Sequence, residues 1–308
     1  MRWCSYLLLF FGLTGIILNC SKTTENQYSK TIGVSLLTRA HVFYRDLEEG
    51  LRVSAQQYGY ELILNAAEWD ANRQISQIED FVTRKVDAII VAPVDSRGVG
   101  NGILAANKAA IPVFTADIAS FEGEVICHVA SDNLAGGRLA GEYLVKLLGG
   151  KGKIAIINQP IVTSTLDRVQ GFREIIQKYP EIEVVADMNG DGVRDRAMQV
   201  ATDILQAHPQ LDGIFAINDD SALGTLDAIE DFNRENIVMV GYDATPPARD
   251  AILRGSALKA DVIQYPYNIG TKTVEMIAQY FSGNPVPNTF PIEVGIVDRE
   301  ILLQKSEP

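Results

Sequence analysis

Histidine and cysteine are scarce in this chain, with three of each among 308 residues. His41, His128 and His208 stand far apart, and neither His-Glu-x-x-His nor Gly-x-Ser-x-Gly occurs. The usual spacings of zinc and serine hydrolases are therefore missing, and no enzyme is expected. Cys4 and Cys20 fall at the start of the chain, and Cys127 is alone inside the apolar run Val125-Ile-Cys-His-Val129. A lone Cys in such a run is a small hydrophobe, so a disulfide framework is excluded. Positive charge is the minority sign: 27 Lys and Arg face 39 Asp and Glu, for a formal net charge of −12. That balance excludes a nucleic-acid partner. An apolar stretch long enough for a spanning helix is lacking at the N-terminus. Tyr6 to Leu18 is interrupted by Gly12, Thr14 and Gly15, and it falls short of the about 20 residues that a bilayer requires.

What stands there instead has the layout of a secretory signal over residues 1–19, with Arg2 ahead of the apolar run. Ile17-Leu18-Asn19-Cys20 resembles a bacterial lipoprotein box, which makes Cys20 the expected lipidation site. Asn19 departs from the small residue usual before that Cys. Residues 20–30 are polar and unpatterned, as a membrane tether would be. Hydrophobic residues make up 47% of the chain and charged ones 21%, a balance that allows a large core and two domains.

From Thr31 onward, short apolar runs alternate with amphipathic stretches. Ile32–Leu37, Glu61–Asn65, Asp87–Val91, Ile111–Thr115 and Glu124–Ala130 read as strands, with helices between them. The rhythm restarts after Ser131-Asp132-Asn133, with strands at Lys153–Ile157, Glu183–Ala186, Gly213–Ile217, Val238–Val240 and Ala260–Ile263. Near-continuous apolar strands separated by helices imply parallel sheets covered on both faces. The fold class is α/β, with two Rossmann-like, doubly wound lobes. The last part is too short for a third domain, so the chain returns to an earlier sheet. Several crossovers then form the hinge.

Three strands end abruptly in polar residues: Gly213-Ile-Phe-Ala-Ile-Asn-Asp-Asp220, Ile237-Val-Met-Val-Gly-Tyr-Asp243 and Ile111-Pro-Val-Phe-Thr-Ala-Asp117. Asn and Asp there can cap the following helix. They also stand at the carboxyl ends of buried strands, where open α/β sheets bind ligands. Asp187-x-Asn189-x-Asp191-Gly192 opens like a calcium loop, but Met198 fills the position where a bidentate Glu is needed. A polar turn is the better reading, and neither a metal nor a cofactor is expected.

Together with Asp87-Ala-Ile-Ile-Val-Ala-Pro-Val-Asp95, His128-Val-Ala-Ser-Asp-Asn133, Arg168-Val-Gln-Gly-Phe172 and Gly241-Tyr-Asp243-Ala-Thr-Pro, these segments resemble the type I periplasmic sugar-binding proteins. The similarity is to the ribose-binding branch that serves ABC importers, and it covers about Thr31 to Val297. The resemblance implies two lobes, residues 31–131 plus 265–293 and residues 132–264 plus 294–308, closing on a monosaccharide or polyol. It places Phe43 and Tyr44 against a sugar face. Asp117, Arg168, Asn218, Asp243 and Gln264 become hydrogen-bonding groups, and His41 takes a position often held by Asn. It also implies an ABC permease as partner, a membrane-anchored extracytoplasmic location and a monomer. A sensor presenting its ligand to a chemoreceptor or histidine kinase is the alternative. Three departures leave the ligand open. Ile118 stands where Arg often follows the Asp, and Leu37 stands near a usual Ser. Residues 189–194 replace a segment that usually brings an aromatic ring, with Gly192 or Val193 at its place. Arg39 is a candidate to restore the missing positive charge.

Overall fold

The computed structural model describes residues 29–304. The secretory signal, the lipidation site Cys20 and most of the tether lie outside the described residues. Ser29 already donates its N–H to Gly59 O at 2.9 Å, and Lys30 pairs with Tyr60, so the end of the expected tether belongs to the fold. Among the described residues, no helix is long and apolar enough to cross a membrane.

The first sheet is built from β1 (Lys30–Leu36), β2 (Tyr60–Ala66), β3 (Ala88–Val91), β4 (Val113–Ala116) and β5 (Cys127–Ser131). Helices α1 (Val42–Tyr58), α2 (Ala71–Arg84) and α3 (Gly100–Lys108) connect its first four strands. The chain then enters the second unit with α4 (Asn133–Leu148), β6 (Gly152–Asn158), α5 (Thr163–Ile176), β7 (Ile182–Asn189) and α6 (Arg194–Ala207). That unit continues through β8 (Gly213–Ala216), α7 (Asp219–Asp231), β9 (Val238–Asp243), α8 (Pro246–Leu253) and β10 (Leu258–Ile263). Helix α9 (Pro266–Phe281) and β11 (Thr289–Ile292) return to the first unit, while β12 (Gly295–Asp298) and α10 (Arg299–Gln304) end in the second.

Each sheet has six strands, ordered β11-β5-β4-β3-β1-β2 and β12-β10-β9-β8-β6-β7. All pairings are parallel except β12 with β10. The polypeptide passes between the lobes after β5, after β10 and between β11 and β12.

Both faces of each sheet are covered, because alternate residues of one strand enter different cores. In β3, Ala88 and Ile90 join one cluster, and Ile89 and Val91 join the other. In β6, Ile154 and Ile156 face one side and Ala155 and Ile157 face the other. Complete burial of each such Ile stabilises the fold by about 1.5–3 kcal/mol. Local chemistry sets the helix starts that matter for the site. Asp70 accepts from Arg73 N at 3.0 Å to open α2, and Asn218 accepts from Ser221 N at 2.9 Å to open α7.

The lobes touch across the cleft. Thr163 N donates to Ser96 Oγ at 3.1 Å, Ala119 N donates to Thr163 Oγ1 at 2.8 Å, and Ser96 N donates to Ile161 O at 3.2 Å. Between those bonds Val162, from the second lobe, is 1% exposed and belongs to the first lobe's core cluster.

Candidate functional site

Residues that follow β1, β2 and β4 in one sheet and β6, β8, β9 and β10 in the other line a single cavity. It holds about 420 Å³ of empty space, counting the open solvent at its mouth. His41, Phe43, Tyr44, Asp117, Arg168, Asn218, Asp243 and Gln264 all line it. Four strand ends that carry polar residues thus converge, as expected for α/β sheets.

Asp117 sits just past β4 in the left-handed region, with φ 68°, and is 4% exposed. Its Oδ2 accepts from Tyr44 Oη at 2.7 Å, while its Oδ1 is buried with no partner. Burial lifts the Asp117 carboxyl to about 6, against the opposing pull of Arg168 and of the Tyr44 hydroxyl. Tyr44 is raised well above its ordinary range, by burial first and then by Asp117.

Arg168, on α5, is 4% exposed and held on several sides. Its Nε donates to Asn133 Oδ1 at 2.8 Å and its Nη1 to Ile217 O at 2.7 Å. The guanidinium carbon lies 3.9 Å from the centre of the Tyr242 ring, and Nη1 is 3.6 Å from Asp243 Oδ1. A guanidinium has five N–H donors, so Arg168 keeps donors for a ligand. It is also a tie within the second lobe.

Asp243 ends β9 with φ 116°. Its Oδ1 accepts from Gln264 Nε2 at 2.6 Å, and its Oδ2 is 3.4 Å from Asp219 N. Burial raises its carboxyl, while Arg168, His41 and Gln264 act in the other direction. The Oε1 of Gln264 is buried without a partner. His41 caps α1 by accepting from Phe43 N at Nδ1, 3.1 Å. The ring proton therefore sits on Nε2, 3.5 Å from Asp243 Oδ2 and 3.8 Å from Asp220 Oδ2. Asn218 uses its amide to cap α7 and to donate to Gly192 O at 2.9 Å, which leaves one further hydrogen and one lone pair for a guest.

Behind Asp243 lie two more carboxyls, Asp219 and Asp261, 1% and 0% exposed. Asp219 accepts from Thr245 N at 2.6 Å, and burial leads the rise of its carboxyl to about 6. Burial, then the charge of Asp219, hold the Asp261 carboxyl well above the carboxylate range.

One expectation is corrected. Arg39 does not line the cavity; its Nε donates to Glu48 Oε2 at 2.7 Å on the surface. The family's missing guanidinium is not restored by it. Leu37, Trp69, Ile118, Gln159, Val162, Ser164 and Thr165 line the cavity but were not singled out as ligand-binding residues. Gln159 follows the apolar run Ile154–Ile157 and carries the same strand-end signal as Asp117. A Cβ on Gly192 would lie 2.5 Å from Gln159 Oε1, so Gln159 occupies the flank where the family's ring is absent.

Residues 32–285 match the model of a periplasmic binding protein domain. The ribose import binding protein of Escherichia coli (strain K12) is 30% identical over 94% of this chain and 97% of that protein. The chain belongs to the type I periplasmic sugar-binding proteins. A solute-binding protein of an ABC transporter from Mycobacterium smegmatis, solved with glycerol, is 32% identical over 89% of this binding protein and 96% of that chain, with a TM-score of 0.84. The fructose-binding periplasmic domain of a hybrid two-component system is 25% identical over 90% of this chain and 94% of its own, also at 0.84. These relatives are binding proteins rather than enzymes, and the cleft described above is where this binding protein places its buried polar groups.

Proposed function

We propose that this chain is an extracytoplasmic solute-binding lipoprotein of an ABC importer, taking a monosaccharide or small polyol between its lobes. One observation carries the reading. Two buried acceptors without partners, Asp117 Oδ1 from the first lobe and Gln264 Oε1 from the crossover after β10, belong to one cavity. Buried acceptors of this kind demand donors. Hydroxyls of a bound sugar supply them from both directions, and Phe43 and Tyr44 cover its C–H face. Such a guest favours the closed arrangement to the extent that it touches both lobes. The closed monomer then docks on its permease, and the Cys20 lipid holds it at the membrane.

A thermal-shift screen of monosaccharides and polyols tests the ligand class. A ligand at 100 times its Kd adds about 2.7 kcal/mol of apparent stability. A flat response across the panel overturns the reading. For the anchor, Cys20→Ser is expected to release the protein from membranes in fractionated cells. The likeness to a two-component sensor domain supports a second reading, in which the liganded form signals instead of delivering. Deleting the gene separates the two: loss of uptake of the radiolabelled ligand marks import, while normal uptake with lost transcriptional response marks sensing.

A further inference from the structure

The two walls of the cavity differ in chemistry. The second lobe contributes Gln159, Ser164, Arg168, Asn218, Asp243 and Gln264, with Val162 as its main apolar member. The first lobe contributes Leu37, Phe43, Trp69 and Ile118, whose polar companions are already engaged. His41 Nδ1 caps α1, and its Nε2 points toward Asp243 and Asp220. The Tyr44 hydroxyl donates to Asp117. Asp117 Oδ1 is thus the one buried side-chain acceptor left unpartnered on this wall among the described residues.

Leu37, Ile118 and Val162 are 2%, 3% and 1% exposed and share one apolar cluster, with Trp69 packed against it. Ile118 directly follows Asp117. The group that takes a hydroxyl and the group that refuses one are therefore adjacent. A sugar with oxygen on every carbon would bury a hydroxyl against this cluster, and a buried hydroxyl without a partner is costly.

We propose that the ligand is a deoxy sugar or deoxy polyol, seated with its hydroxyl edge on the second lobe and its deoxygenated carbon against Leu37, Ile118 and Val162. The proposal rests on the sugar-binding reading above and narrows its ligand class. The methyl or methylene fills apolar space, while Asp117, Arg168, Asp243 and Gln264 read the hydroxyls that remain.

Titration calorimetry of the wild-type chain against matched pairs decides the matter: L-fucose and L-galactose, L-rhamnose and L-mannose, 5-deoxy-D-ribose and D-ribose. Within the pair that binds, the deoxy member is expected to bind about ten- to hundredfold more tightly, the range by which an apolar pocket discriminates one hydroxyl. If the hydroxylated member binds as tightly or more tightly in every pair that binds, the inference is overturned and sugar binding stands. If no member of any pair binds, this inference is overturned, and the sugar-binding reading stands or falls on the thermal-shift panel. Ile118→Asn, which offers a partner to the extra hydroxyl, should bring the paired affinities toward parity. An unchanged ratio in a folded Ile118→Asn protein would remove the placement of the deoxygenated carbon.

Discussion

The two walls of the cleft solve opposite problems. The second-lobe wall holds charge in a dry place: Arg168, Asp243, Gln264 and the carboxyls of Asp219 and Asp261 behind them are all nearly fully buried. Asp243 ties Arg168 to Gln264, so the wall is preorganised and can discriminate among hydroxyl positions. The first-lobe wall is mostly hydrocarbon and aromatic surface, with His41 and the hydrogen-bonded pair Tyr44 and Asp117 set into it. It supplies contact area and shape, terms that reward closure without demanding one stereochemistry. Selectivity among hydroxyl positions therefore lives chiefly on the second-lobe side of the hinge, while the first-lobe side supplies contact area and the preference for a deoxygenated carbon.

The largest effect should come from the charged side. Asp243→Ala leaves the buried Arg168 guanidinium without its nearest carboxylate and Gln264 Nε2 without its acceptor. Breaking a buried pair costs about 3–5 kcal/mol, so affinity for the ligand selected by the screen should fall more than a hundredfold in titration calorimetry. Asp117→Asn, on the other wall, keeps the bond to Tyr44 and should lose only about tenfold, in line with about 1.5 kcal/mol for one charged hydrogen bond. Equal losses in the two variants would erase the division between the walls.

Next in size is a pH effect on the unliganded protein. Burial first of all lifts the Asp117 carboxyl from 3.8 to about 6. Between those values the folded protein holds a proton that the unfolded chain has released, so stability declines as pH rises through that interval. Below about 3.8 the penalty is absent and above about 6 it is complete; roughly two pH units at about 1.36 kcal/mol each give about 3 kcal/mol. Asp219 has the same sign. The melting temperature should therefore rise as the pH is lowered from about 6.5 to about 4.5. Asp117→Asn should flatten the rise by the first wall's share and leave the share of Asp219. An unaltered slope in that variant would assign the whole effect to the second lobe.

The sequence shows the second wall more clearly than the first, for a physical reason. Asn218 and Asp243 interrupt apolar strands, and a polar residue after a buried run is conspicuous; on the first wall only Asp117 gives that signal. Leu37 and Ile118 continue such runs and look like core, which in part they are. Trp69 follows β2 in the left-handed region, with φ 64°, a conformation that no local pattern announces for an aromatic residue. The elements divide in the same way. Helix α2 shows in the sequence because Asp70 caps it and its apolar period is clean. Helix α4 begins at Asn133, where the strand-helix rhythm restarts, and carries Gly136 and Gly137 in its first turns. They are there for close approach: a Cβ at Gly136 would lie 2.1 Å from Tyr242 Oη, and one at Gly137 2.0 Å from Arg168 O. Strands β11 and β12 had no sequence signal, being short and only partly buried, with Pro291 inside β11. Proline is tolerated there because β11 is an edge strand.

The smallest effect tests whether tightness belongs to closure. Val162 comes from the second lobe but is buried in the first lobe's cluster, flanked by the bonds from Ser96 to Ile161 and Thr163. When the lobes separate, this side chain returns to water, so its burial stabilises only the closed form. Val162→Ala removes two methyl groups from that contact, worth about 1–2 kcal/mol. The expected result is about a tenfold loss of affinity across the panel, with the order of preference among fully hydroxylated sugars intact. Small-angle scattering of the unliganded variant should give a larger radius of gyration than the wild type. A change in that order would mean that Val162 reads hydroxyl positions as well as the deoxygenated carbon.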